Sequence, residues 1–296
     1  RIQRMKSKKK KHSLTIKQRN SLTGYLFFSP WIIGFLAFTL YPVIYSIRLS
    51  LNELNITTNG ILMKFKGLYY YNEAINVDTS FKTYLIDEVC FTLCATPIII
   101  VFSLIIALLL NKKYPLRSFF RGVFFLPVII MSGPVISELL SKYIIDLSTF
   151  NPLIHQFLMG LPGFVRNPII FALHNLVFFL WFSGVPILIF LAGLQKVSSE
   201  IYEAASIDGA TAWEKFWKIT VPFVKPLAMV NAIYTIMELA NSSYNKVNNK
   251  IDSHLLEVGR PYSFSAAMSW IYFGVTLALL LLVYLIFEGF GRRDKA

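Results

Sequence analysis

The most constraining feature of this sequence is a series of long, nearly uninterrupted apolar runs. The strongest covers residues 275–287, and five more of comparable character precede it. The chain is 55% hydrophobic and only 15% charged, whereas ordinary soluble domains are about a quarter charged. A soluble fold of this length has too little interior to bury such runs. The sequence therefore predicts an integral membrane protein, with lipid as the solvent for much of its surface.

The number of apolar runs predicts the fold class. A helix needs about 20 mostly apolar residues to cross the hydrocarbon layer, and six segments qualify. The third is the least regular because Gly133 and Pro134 interrupt it, and we expect neighbouring helices to satisfy the freed backbone groups. The prediction is an all-α membrane protein with six transmembrane helices. The predicted spans are residues 25–47, 89–110, 119–140, 168–194, 222–241 and 266–290.

Basic residues are concentrated in alternate loops, which lie on one side of the predicted membrane domain. Nine of them lie in residues 1–19, and further basic residues occupy the links after spans two and four and the tail after span six. Because lysine and arginine favour cytoplasmic loops, both termini are predicted to be cytoplasmic. The chain divides into a basic tail (1–22), a membrane domain (23–291) and a short tail (292–296). No nucleic-acid-binding module accompanies these charges, so nucleic acid is not an expected partner.

The sequence lacks the patterns that catalysis would require. No GxxxxGK[ST] phosphate-binding loop is present, and no catalytic or metal-ligating cluster is apparent. The chain is therefore expected not to be an enzyme and to bind no cofactor itself. Cys90 and Cys94 are one helical turn apart, which is a poor disulfide geometry, and we expect buried, unpaired thiols.

The loop after the first predicted span contains Gly67 and the aromatic run Tyr69 to Tyr71. These residues indicate ordered surface structure or a belt of tyrosines at the membrane interface. Contact with an external partner is the alternative.

The longest predicted cytoplasmic link, residues 197–222, has the pattern of two short helices joined by a turn. Ser198 or Ser199 is expected to cap the first helix, whose positive end is complemented by nearby glutamates. Asp208 and Gly209 are expected to end it, because glycine adopts the left-handed conformation that a helix stop needs.

The second half of this link is predicted to begin with a capping box, in which Thr211 precedes Glu214 by three residues. Pro222 then marks the return to the membrane. Small residues lie beside apolar and aromatic ones such as Ile207 and Trp213. Such a surface favours docking into a groove on a partner. The alternative is a structural loop that packs on its own bundle.

A specific motif in this link resembles a known family. Glu203-Ala204-Ala205, followed after three residues by Gly209, is similar to the EAA loop of ABC importer permeases. The strings at residues 26–50 and 117–135 also resemble the carbohydrate-uptake branch, which includes maltose-type and glycerol-phosphate-type permeases. The resemblance covers residues 25–291.

The resemblance implies a type I importer permease of a bacterial cytoplasmic membrane, with cytoplasmic coupling helices, that translocates a sugar or oligosaccharide. It implies two partner ATPase subunits that bind ATP and Mg²⁺, a second permease that is a different chain, and an extracytoplasmic solute-binding protein. A polyol or glycerol-phosphate-type solute is the alternative substrate, and an ion-coupled secondary transporter is the alternative mechanism. The residues implied to contact the ATPase are Glu203, Ala204, Ala205, Asp208 and Gly209.

Polar residues inside predicted spans are candidates for the substrate pathway, because they are costly in lipid. Asn231, Glu238 and Asn241 lie on one face of the predicted fifth span, with Tyr234 nearby. This face would offer hydrogen bonds to sugar hydroxyls, or it would form a hydrogen-bonded seam with the partner permease. The other candidates in predicted spans are His174, Asn175 and Glu138.

Overall fold

The computed structural model describes residues 15–57, 60–112, 119, 122, 156, 158–256 and 262–293. In these ranges the chain is mostly helical, with one two-stranded antiparallel hairpin that the all-α prediction does not include. The elements are α1 (Ile16–Phe35), α2 (Tyr41–Ser50), β1 (Asn52–Thr57), β2 (Gly60–Phe65), α3 (Tyr69–Asn72), α4 (Thr79–Asn111), α5 (Gly163–His174), α6 (Leu176–Phe182), α7 (Gly184–Leu194), α8 (Ser199–Ile207), α9 (Ala212–Lys215), α10 (Val221–Ala240), α11 (Lys246–Leu256) and α12 (Tyr262–Arg293). Five-residue π-helical turns join α1 to α2 (Leu36–Leu40), follow α3 (Glu73–Val77) and join α9 to α10 (Phe216–Thr220).

Among the described residues, four continuous helical stretches are long and apolar enough to cross a membrane. They are Thr23–Ser50, Thr79–Asn111, Ala212–Ala240 and Tyr262–Gly289, and they confirm the first, second, fifth and sixth predicted spans. The second begins ten residues earlier than predicted, because Asp78 caps it by accepting a hydrogen bond from the Phe81 backbone N–H at 3.0 Å. The predicted third span, with Glu138, lies outside the described residues except for positions 119 and 122.

The prediction of the fourth span as one helix is wrong. The segment is divided into α5, α6 and α7, and α5 and α6 are bent by 63° around Asn175. The Asn175 side-chain amide donates to the Phe171 carbonyl at 2.9 Å, and its backbone N–H donates to the same oxygen at 3.1 Å. An asparagine that bonds its own backbone in this way competes with the regular helical pattern. A second break follows at Ser183, whose hydroxyl donates to the Phe179 carbonyl.

The centre of the bundle is formed by α4, α7 and α10. Ala107, Ile187, Phe190 and Val224 are among its buried residues. At Gly193, an added Cβ would lie 2.0 Å from the Leu227 Cδ1 atom, so α7 and α10 approach more closely than a larger residue would allow. Small residues at helix contacts are the usual means of packing helices tightly in membranes.

A separate core lies at the end of the bundle that carries the β-hairpin, and we call this the β-hairpin end. Tyr70 from α3, Phe81 from α4, Val247 from α11 and Phe264 from α12 are buried together. Tyr71 shares a hydrogen bond of 2.7 Å with the Ser50 hydroxyl. Gly67 has a φ of 59°, the left-handed region that glycine tolerates. The aromatic run therefore belongs to ordered structure, with Tyr70 in a core.

An ionic cluster at Asp78 attaches α11 to the start of α4. The Asp78 carboxylate lies 3.5 Å from the Lys250 ammonium and 3.4 Å from His254 Nε2. Burial alone would raise the pKa of Asp78. Hydrogen bonds from Ser80 and the Phe81 backbone, together with the electrostatic effect of Lys250 and His254, outweigh burial and lower the pKa of Asp78 to about 2. Asp78 is therefore ionised at neutral pH and fixes the position of α11.

Candidate functional site

The link between α7 and α10, residues 197–222, forms a compact hairpin that we call the connecting hairpin. Its first helix, α8, begins after Ser198, which has the extended backbone of an N-cap, although its side chain makes no capping hydrogen bond. The capping hydrogen bond expected from a serine hydroxyl is thus missing at Ser198. Glu200 lies in the first turn, where a negative charge complements the helix dipole.

The turn of the connecting hairpin closes as the sequence predicts. Gly209 has a φ of 79°. Its N–H donates to the Ser206 carbonyl at 3.1 Å, and the Ala210 N–H donates to the Ala205 carbonyl at 2.9 Å. This pair of bonds is the Schellman arrangement, which satisfies carbonyls that a helix end would otherwise leave open. The conformation of Gly209 therefore fixes the direction in which the chain leaves α8.

The predicted capping box is present at the start of α9. The Glu214 backbone N–H donates to the Thr211 hydroxyl at 3.3 Å, and the Thr211 N–H donates to the Glu214 carboxylate at 2.9 Å. The expectation of a separate second helix is wrong, however. Helix α9 passes through the π-helical turn at Phe216–Thr220 directly into α10, so Pro222 lies inside one continuous stretch from Ala212 to Ala240. The π-helical turn lies just before Pro222, the position at which a proline removes a regular i→i−4 hydrogen bond.

Two side-chain contacts tie α8 to this continuous helix. The Tyr202 and Thr220 hydroxyls share a hydrogen bond of 2.9 Å, and Thr220 is buried. The Lys215 ammonium donates to the Ser206 hydroxyl. These contacts join the two arms of the connecting hairpin at both its base and its tip.

The tip of the connecting hairpin presents an apolar surface to solvent. Ile207 is 88% exposed and Trp213 is 69% exposed. Of the residues implied to contact an ATPase, Ala205 is half-buried, and the others (Glu203, Ala204, Asp208 and Gly209) are exposed. Docking of this exposed tip on a partner stays a prediction.

The four predicted pathway residues do not share one environment. Asn231 is fully buried and donates to the Pro186 carbonyl of α7 at 3.2 Å. Tyr234 and Glu238 are half-buried, and their side chains interact. Asn241 is exposed, and its side-chain amide donates a hydrogen bond to the Met237 carbonyl at 2.8 Å. Asn231 thus joins α10 to α7 within the chain. Substrate contact for these four residues stays a prediction.

Two cavities lie among the described residues near the β-hairpin end. The first, of about 760 Å³, lies between α4, the α5–α6 bend and the residues after α10. It brings together His174 and Asn175, which the sequence analysis named, with Glu88 and Lys246, which it missed. The second, of about 640 Å³, is bordered by Asn241. Recognition of Asp78 as a helix cap would have placed Glu88 on a helix facing the bundle.

The native thiols lie in the wall of the first cavity. Cys90 and Cys94 are unpaired and exposed on α4, and both line the cavity. The expectation of unpaired thiols is confirmed, but the expectation that they are buried is wrong. Their helical face turns toward an open space rather than toward a packed neighbour.

The comparisons with known proteins agree on one family. The probable ABC transporter permease protein YesP of Bacillus subtilis is 32% identical over 226 residues, which cover 75% of this chain and 71% of that protein. The lactose transport system permease protein LacF of Rhizobium radiobacter is 31% identical over 239 residues, or 78% of each chain. This chain belongs to the ABC transporter permeases. No protein-family model matches it.

Solved structures support the same fold for this permease. A chain of a bacterial ABC transporter involved in the import of the acidic polysaccharide alginate superposes with a TM-score of 0.59 at 18% identity. The match covers 91% of this permease and 96% of that chain. The arabinooligosaccharides transport system permease protein AraP of Bacillus subtilis extends the sequence similarity to 88% of this permease, at 29% identity. The relatives and the apolar helices together identify a membrane protein.

Proposed function

We propose that this permease is one of two transmembrane subunits of an ATP-driven importer for a sugar or oligosaccharide. An extracytoplasmic solute-binding protein delivers the substrate, and two separate ATPase subunits bind and hydrolyse ATP with Mg²⁺. Its relatives include a lactose transport system permease and an arabinooligosaccharides transport system permease, which supports this substrate class. A structural relative was solved with an alginate pentasaccharide-bound periplasmic protein, which supports a binding-protein partner.

The observation that carries the coupling proposal is the exposed tip of the connecting hairpin. Ile207 and Trp213 offer apolar area that water does not favour, while Ala204 allows another backbone to approach closely. Each ATPase subunit presents a cleft in which such a tip is buried. Glu203, Ala204, Ala205, Asp208 and Gly209 form this contact, in agreement with the EAA pattern.

The proposed orientation places the connecting hairpin and both termini in the cytoplasm. Basic residues in the tail at 1–22 and in the connecting hairpin support this orientation, because positively charged loops are retained on the cytoplasmic side. The β-hairpin end, with α3 and α11, then faces the solute-binding protein.

The continuity of α9 with α10 provides a route for mechanical coupling. When the ATPase subunits close, they displace the connecting hairpin, and the contact between Tyr202 and Thr220 keeps it aligned with α10. The far end of α10 leads into Ser242 and Tyr244, which line the first cavity. A rigid-body movement of the connecting hairpin therefore changes the shape of that cavity and moves the permease between inward-open and outward-open states.

Reconstitution with the partner subunits tests this function. Proteoliposomes that contain both permeases and the ATPase subunits are expected to accumulate radiolabelled sugar only when ATP and the loaded solute-binding protein are present. Uptake that proceeds without ATP and follows an ion gradient would show a secondary transporter instead.

A matched pair of variants tests the docking surface. Ile207→Asp is expected to abolish co-purification of the ATPase subunits, because it places a charge in an apolar contact. Phe65→Asp alters a side chain that is 72% exposed on β2 and is expected to retain the ATPase subunits. Equal retention in the two variants would contradict docking through the tip.

A further inference from the structure

Three buried polar atoms in the centre of the bundle have no hydrogen-bond partner among the described residues. They are the Ser103 hydroxyl of α4 and, on α10, the Thr235 hydroxyl and the Asn231 Oδ1 atom. The three side chains are at most 1% exposed. Native proteins pair nearly all such groups, because an unpaired polar atom in the interior costs free energy. The occurrence of three in one part of the bundle therefore requires an explanation.

The unpaired atoms lie on helix faces that meet, and we call them the central polar cluster. Ile99 and Ala107 lie one turn before and one turn after Ser103 on the same face of α4. Ile99 shares a core with Leu239 of α10, and Ala107 shares one with Val224. The order of these contacts shows that α4 and α10 are antiparallel. The two cluster residues of α10 fall between these contacts, at the level of Ser103.

The members of the central polar cluster are chemically complementary. A hydroxyl both donates and accepts, whereas an amide oxygen only accepts. If the Thr235 hydroxyl donated to Ser103 Oγ, and the Ser103 hydroxyl donated to Asn231 Oδ1, every hydroxyl proton would be used. The Asn231 amide nitrogen already donates to the Pro186 carbonyl of α7 at 3.2 Å. This bond holds the side chain in place and leaves its oxygen as the acceptor at the end of such a chain.

We propose that this chain of hydrogen bonds forms in another state of the transport cycle, when α10 shifts against α4. The inference rests on the proposed import function and adds to it a positioning role for the central polar cluster. The connecting hairpin continues into α10 without a break from Ala212 to Ala240, so its displacement reaches the level of the cluster. Shifts of about 1–2 Å between packed helices are a known form of switching.

The central polar cluster affects the two states in opposite directions. Its unpaired atoms destabilise the state described here, and their pairing stabilises the shifted state. Both effects reduce the free-energy difference between the states, so each is accessible during the cycle. Apolar residues of the same shape would remove this balance, because they would relieve the described state of its unpaired atoms and deprive the shifted state of its hydrogen bonds.

Two substitutions at Thr235 separate the hydroxyl from the packing of the side chain. Thr235→Val keeps the shape and removes the hydroxyl, whereas Thr235→Ser keeps the hydroxyl. In the assembled transporter in nanodiscs, with the loaded solute-binding protein, Thr235→Val is expected to lower kcat for ATP hydrolysis by about 3- to 10-fold. The KM for ATP should not change, and the thermal unfolding midpoint should not fall. Thr235→Ser is expected to keep the wild-type kcat.

A double variant tests whether the two helices are joined by these bonds. Ser103→Ala removes both bonds of the chain, so adding Thr235→Val to it is expected to cause no further slowing. Thr276→Val is the control, because the Thr276 hydroxyl donates to the Tyr272 carbonyl of its own helix at 3.0 Å, and it is expected to keep the wild-type kcat.

Three results would each overturn the inference and leave the proposed function intact. They are a wild-type kcat in Thr235→Val, a lowered unfolding midpoint in Thr235→Val, and a loss of kcat in Thr235→Ser as large as that in Thr235→Val. Multiplied losses in the double variant would overturn it as well, since they would show that the two hydroxyls act independently. If the wild-type complex hydrolyses no ATP, the proposed function fails instead.

Discussion

Replacement of Gly209 by alanine is expected to weaken binding of the ATPase subunit to the connecting hairpin. Gly209 has a φ of 79°, and an L-residue in the left-handed region costs about 1–2 kcal/mol. A Cβ at this position would meet no atom within 4 Å, so backbone strain is the only direct cost. If docking requires the observed turn, this strain lowers the affinity by roughly 5- to 30-fold.

A short series at this position separates backbone strain from other effects. The assay is biolayer interferometry of the ATPase subunits on the permease pair held in nanodiscs. Gly209→Asn is expected to bind more tightly than Gly209→Ala, because asparagine tolerates the left-handed region, and Gly209→Val is expected to bind most weakly. Gly24→Ala is the control, since Gly24 also faces open space but lies within α1 and has no positive φ. Wild-type affinity in Gly209→Ala would refute the reasoning.

Three further perturbations probe the local structure. Thr211→Ala removes the capping box and is expected to cost about 1 kcal/mol, measured as faster hydrogen exchange at the start of α9; unchanged exchange would contradict it. Because the pKa of Asp78 is lowered to about 2, its stabilisation is present above about pH 4 and is lost as the pH falls towards about 2. Thermal unfolding should report this loss in the wild type but not in Asp78→Asn. Identical pH profiles of thermal stability in the two proteins would contradict the prediction. Tyr202→Phe and Thr220→Val are each expected to cost about 0.5–1.5 kcal/mol; an additive double mutant would argue against their hydrogen bond.

The hairpin turn was predictable because its determinants are local. Gly209 and Thr211 act through atoms a few residues away, so their spacing in the sequence contains most of the information. The position of the long spans was also predictable, since apolar length alone selects them. Asp78 was a local signal of the same kind, and attention to it would have placed the start of α4 correctly.

The features that escaped prediction depend on individual side-chain hydrogen bonds or on contacts between residues far apart in the chain. The bend at Asn175 coincides with a second hydrogen bond, from its side-chain amide to the Phe171 carbonyl, which the apolar pattern around it does not reveal. At the junction of α9 with α10, Thr220 is buried and hydrogen-bonded to Tyr202, eighteen residues earlier in the chain, a contact that local sequence does not reveal. The first cavity joins Glu88 to Lys246, and no sequence spacing connects residues so far apart.

The most direct test of the account is a crosslink from the tip of the connecting hairpin. In a background with Cys90→Ser and Cys94→Ser, Ile207→Cys gives the chain a single thiol for a bifunctional crosslinker. The account predicts that this thiol joins the permease to an ATPase subunit in membranes, and that a thiol from Phe65→Cys in the same background does not. Crosslinks from position 207 that stay within the permease chain would contradict the claim that the connecting hairpin is the ATPase contact.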